Sequence, residues 1–82
     1  MNKVLIKLYV PTIEKVYDIW IPINKRVYNI EKLLIKGIKS FNSNYEPKVF
    51  PVLYNKVNAK IYDINAKIID TDIRNGTELI LI

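Results

Sequence analysis

The sequence contains no cysteine and no histidine. Without thiols there is no disulfide framework and no thiolate chemistry, and with both residue types missing the two commonest zinc ligands go together. Ser40 and Ser43 have no histidine to activate them as nucleophiles. Glycine is scarce as well, two in 82 residues, so there is no glycine-rich loop to cradle a phosphate. With only four prolines beside them, the composition excludes a disordered or low-complexity chain. The longest apolar runs are far too short to span a bilayer. The opening "KVLIKLYVP" is broken by Lys7 and Pro11 before it reaches the length of a secretory core. No internal repeat is visible. These absences predict a soluble, cytoplasmic protein that is not an enzyme and holds no cofactor or metal.

Half of the residues are hydrophobic, which suits one domain over residues 1–82. A chain of this size buries only about 60 to 65% of its unfolded surface, so the core must be efficient. Thirteen Lys and Arg against eight Asp and Glu give a net charge of +5, a balance that raises the question of an anionic partner. The basic residues are spread from Lys3 to Arg74, and no basic block forms.

The spacing of apolar residues sets out the elements. "VLIKLYV" puts Val4, Ile6, Leu8 and Val10 on one face and Leu5, Lys7 and Tyr9 on the other, the period of a strand. After a turn through Pro11 and Glu14, "VYDIWI" alternates again, Tyr17, Ile19 and Ile21 inward and Val16, Asp18 and Trp20 outward, completing a hairpin. From Val27 the apolar residues fall at Val27, Ile30, Leu33, Leu34, Ile38 and Phe41, one face of a helix, with Asn24 as its candidate N-cap. Gly37 inside that helix is expected to mark close packing. "VLYN" and "KIYD" read as two short strands, the first at an edge because Pro51 precedes it. An irregular stretch from Asp63 to Arg74, pinned by its isoleucines, leads through Asn75-Gly76 into a last strand, Thr77 to Ile82.

This order is α+β: a β-grasp, with a mixed sheet of four to five strands on one helix. It resembles the ubiquitin-like families over essentially the whole chain. The most specific stretch is "AKIYDINAKIIDTDIRNGTELILI", a short strand, a loop, an isoleucine before a polar turn and Leu-x-Leu in the last strand. Asp72 departs from the pattern, standing where many ubiquitin-like domains have glycine. The opening "KVLIKLYVPTIEKVYDIWIPINKRV" is similar to that of the EsaB/YukD proteins, accessory components of type VII secretion. In ubiquitin and the sulfur carriers the last strand runs into a Gly-Gly tail, whereas this sequence finishes on Leu81-Ile82. The resemblance therefore implies a noncovalent module and not a conjugated modifier.

Asp70-x-Asp72, with Asp63 upstream, is the sole carboxylate cluster, and it reads as turn-forming aspartates near a bend. What remains is surface. With the sheet order two, one, five, three, the face away from the helix carries Leu5, Tyr9, Trp20, Leu53, Ile80 and Ile82. In ubiquitin the corresponding face is a recognition surface. An apolar patch rich in Trp and Tyr points to a protein partner, a secretion-machinery component or a second copy of the chain. The alternative reading is a basic nucleic-acid binder using Arg26, Lys32, Lys36 and Lys39 on the helix. Those lysines lack the interleaved aromatics of single-strand binders, so nucleic acid is the less favoured partner.

Overall fold

A computed structural model describes residues 2–82. Four strands, β1 (Lys3–Val10), β2 (Lys15–Pro22), β3 (Leu53–Asn55) and β4 (Glu78–Leu81), form one sheet in the order β2-β1-β4-β3. β1 pairs antiparallel with β2 and parallel with β4, and β3 pairs antiparallel with β4. The helix α1 (Val27–Phe41) covers one face. β2 and β3 are the edges, as Pro51 suggested for β3.

The alternation in β1 and β2 sets the core. Ile6, Leu8, Val10 and Ile21 are fully buried against Val27, Ile30, Leu34 and Ile38 of α1, with Val4, Tyr17 and Ile19 partly buried around them. Leu79 and Leu81 of β4 complete the layer. Ile68 and Ile73 plug the core from the long connection, which contains a turn of 3-10 helix at Ile68–Asp70. Ile64 and Ile69 of the same stretch are exposed.

Three expectations are corrected. Asn24 does not cap the helix: Arg26 is the N-cap residue and makes no side-chain cap bond. The first amides instead bond across the fold, Val27 N–H to Ala66 O at 2.8 Å and Tyr28 N–H to Ile64 O at 3.0 Å, which satisfies donors that a side-chain cap otherwise takes. "KIYD" is no strand but a single bridge between Ile61 and Tyr54. Gly37 is not closely packed either, since a Cβ placed there would meet nothing within 4 Å.

Gly76, at φ 89°, does need glycine. Arg74 to Thr77 form a turn closed by a 3.0 Å bond from Thr77 N–H to Arg74 O, with Gly76 in the left-handed position of a type II turn. The Asn75 side chain accepts from Leu5 N–H at 2.8 Å, and Gly76 N–H donates to Leu5 O at 2.8 Å. The turn thus sets the register in which β4 enters beside β1.

Candidate functional site

Strand register arranges the sheet face away from α1 in rows. Across the middle, Lys7 stands opposite Asp18 on one side and Glu78 on the other. On one flank Leu5 faces Trp20. On the other, Val16, Tyr9, Ile80 and Tyr54 follow one another across all four strands, and the bridge to Ile61 extends the row beyond the edge. Ile82 closes the end, exchanging two backbone hydrogen bonds with Val52 at 2.8 and 3.0 Å. The face is therefore an apolar band and a smaller Leu5–Trp20 pair, separated by a charged row of alternating sign. Trp20 is 51% exposed, and Leu5, Tyr9, Ile80 and Ile82 are half-buried.

Leu53 does not belong to this face. It pairs with Leu81, whose side chain points into the core, so Leu53 points the same way and is 1% exposed. Tyr54 takes its place on the outer face. Sequence reasoning missed Tyr54, Val52 and Ile61. The signal was available, since in an antiparallel pair the partner of an inward Leu81 must itself point inward.

The basic residues divide. Arg26 turns its guanidinium to the Asn65 carbonyl. Lys32 and Lys36 line a shallow depression on α1 together with Lys25 and Asn29, and the Lys32 ammonium lies 4.6 Å from the centre of the Tyr28 ring. Lys39 sits in the last helical turn, where its charge complements the helix dipole.

The carboxylates serve the fold. Asp63 accepts from Asn65 N–H at 2.9 Å, and Asp72 accepts from the Tyr62 hydroxyl at 2.7 Å. Asp72 has no positive φ, so the missing glycine imposes no strain. Tyr62 also receives a 3.1 Å bond from the Asn55 side chain. Burial foremost, with Asp72 beside it and the Asn55 bond opposing, pushes the Tyr62 phenol up to about 12. Among the described residues no group of three or more His, Cys, Asp or Glu is placed to hold a metal ion. Glu31, on the core side of α1, is buried. Burial raises its carboxyl above the ordinary value, with a backbone hydrogen bond from Leu53 opposing the rise.

No protein-family model matches the sequence, and no curated protein matches it. Solved structures do. The chain is similar to a chain of the MycP5-free ESX-5 inner membrane complex, at a TM-score of 0.83 and 14% identity over 99% of this chain and 21% of that one. It therefore spans about a fifth of that neighbour's length. It is similar over 100% of its length to 99% of the ubiquitin-like domain of the Mycobacterium tuberculosis type VII secretion system protein ECCD1, at a TM-score of 0.77 and 9% identity. A ubiquitin-like domain of an Arabidopsis thaliana protein aligns at a TM-score of 0.71 and 13% identity, over 100% of this chain and 78% of that one. The chain has the ubiquitin-like β-grasp fold. Among the described residues no helix is long and apolar enough to cross a membrane.

Proposed function

We propose that the chain, acting as one ubiquitin-like domain, is a cytoplasmic, noncovalent protein-docking module, an EsaB/YukD-like accessory or regulatory component of a type VII-like secretion system, and not an enzyme. The observation that carries the reading is the apolar band Val16–Tyr9–Ile80–Tyr54, continuous across four strands on the face that α1 leaves open. The adjoining row of alternating charge gives such a surface orientation as well as affinity. Two fold neighbours, a chain of the ESX-5 inner membrane complex and the ubiquitin-like domain of a type VII secretion system protein, support the choice of machine. In this reading the partner is a cytosolic segment of the inner-membrane secretion complex. Half-exposed Trp20, on the same face across the charged row from the band, reports on docking. Titrating purified cytosolic segments of that complex should shift its emission to the blue, and titrations that leave the emission unchanged and show no binding by calorimetry would remove the secretion reading.

The Lys25–Lys32–Lys36 depression favours a second reading, nucleic-acid binding. Three lysines make a small counterion-release term, so binding to DNA or RNA is expected to be weak and to vanish near physiological salt. A tight, salt-resistant complex would reverse the order of the two readings.

A further inference from the structure

The connection from α1 to β3 is fastened at both ends. Tyr45 is buried and its N–H donates to Asn42 O at 3.0 Å, while Val52 exchanges two backbone hydrogen bonds with Ile82. Between these anchors lies "EPKVFP", which sets a proline on each side of Lys48-Val49-Phe50. Each proline fixes its own φ and offers no N–H, which stiffens the tip without making it a strand. Val49 and Phe50 are 87% and 85% exposed. Among the described residues these are the two most exposed of the large apolar side chains, and they stand side by side.

The tip stands off the flank of α1. A cleft of about 390 Å³ separates it from Tyr28, Lys32 and Ile35, and exposed Ile64 adds to the apolar wall. Lys48 lines the same cleft, and Lys32 is shared between it and the depression that holds Lys25 and Lys36. All four lysines are exposed. The carboxylates of this region are fewer: Glu31 lines the cleft but is buried, while Glu46 before Pro47 and Asp63 before Ile64 are exposed. Four exposed lysines against two exposed carboxylates leave the surroundings of the tip positive.

Shape and charge together select the occupant. A nucleic acid would meet the lysines but leave Val49 and Phe50 in water. A second copy would bring the same lysines and its own +5. A projecting pair of apolar side chains is also far smaller than a stable protein contact requires. A bilayer takes such a tip readily, because the apolar side chains can enter the boundary of the acyl region while the lysines lay their stems along the interface and reach anionic headgroups. We propose that the Val49–Phe50 tip, with Lys25, Lys32, Lys36 and Lys48, is a peripheral membrane site that holds the protein on a bilayer containing anionic phospholipid. The site belongs to α1 and the loop after it, apart from the Tyr9–Ile80–Tyr54 band on the open sheet face.

The test uses the full chain and sedimentable vesicles of phosphatidylglycerol and phosphatidylcholine in equal parts, beside vesicles of phosphatidylcholine alone. The protein should sediment with the anionic vesicles, bind them at least tenfold more tightly than the neutral ones, and loosen as salt is raised. Val49→Ser with Phe50→Ser, both outside the core, should weaken binding at least tenfold and leave the melting temperature within a few degrees of wild type. Lys32→Glu with Lys48→Glu, at exposed positions, should weaken it comparably. In a Trp20→Phe background, Phe50→Trp should give an emission that shifts to the blue on anionic vesicles and is quenched by brominated acyl chains. No protein partner is present, so failure here and failure of docking through the open sheet face are separate results. The proposal is overturned by no binding to anionic vesicles, by equal binding to both vesicle types, or by an unshifted emission from vesicle-bound Phe50→Trp. Undiminished binding in the folded serine variant also overturns it, and would assign the lysines to polyanions in general, nucleic acid included.

Discussion

Leu53 and Tyr54 are neighbours in the chain and opposites in consequence. Leu53→Asp would place a carboxylate at a position 1% exposed beside Leu81, and is expected to cost more than about 3 kcal/mol and unfold much of the protein. Tyr54→Asp changes the outer face and should cost about 1 kcal/mol or less. Denaturant melts of the two check the register, and similar losses in both would show it misassigned. Glu31 gives a residue-scale pH dependence. Burial raises its carboxyl in the folded protein above the ordinary 4.5, so the fold favours the protonated form. That contribution is complete below about 4.5 and is lost as pH rises through the raised value. Glu31→Gln should remove this loss, and the melting-temperature difference between variant and wild type should move in the variant's favour from acid to neutral pH. An unchanged difference would mean that Glu31 ionises as freely folded as unfolded. The sequence did carry a sign of this burial, since Glu31 falls on the inward stripe with Val27, Ile30, Leu34 and Ile38.

At the scale of elements, Gly37→Ala should stabilise α1 by up to about 1 kcal/mol, because helix propensity improves and the added methyl meets nothing within 4 Å. A destabilised variant in thermal or denaturant melts would mean that the space beside Gly37 is filled. β1, β2 and most of α1 were legible from periodicity because each buries one face only, so the pattern of side chains mirrors the pattern of burial. The start of α1 was not legible, since its first amides bond to carbonyls of residues 64 and 66, far along the chain. Leu33 and Phe41 look like core in the helical pattern and are exposed, because they lie on the flank where α1 and β2 part. "KIYD" has the composition of a strand, but it contributes only the Ile61 bridge, while Tyr62 turns inward to Asn55 and Asp72. Of the residues expected on the open face, Leu5, Tyr9, Trp20, Ile80 and Ile82 lie on it, whereas Tyr54, Val52 and Ile61 were not anticipated there. Leu53 lies inward because its antiparallel partner, Leu81, does.

For the molecule as a whole, one core of aliphatic side chains from every layer carries the stability. Leu34→Ala and Leu79→Ala, from helix and sheet, should each cost about 2 to 5 kcal/mol, a large fraction of what a domain of this size possesses. Near-silent melts for either would contradict the packing. The two faces of the sheet thus differ: one holds the fold together, and the other is the face the proposed function assigns to a partner. Ile80 separates them most cleanly, since it lies between Leu79 and Leu81, both fully buried, and at the centre of the outer band between Tyr9 and Tyr54. The most direct measurement is the affinity of Ile80→Asp for cytosolic segments of the secretion complex, determined alongside its melting temperature. The expected result is a melt within a few degrees of wild type and an affinity at least tenfold weaker, because a carboxylate would be desolvated at the contact. Undiminished affinity with a much lower melting temperature would place Ile80 in the protein's own packing and contradict docking through this face.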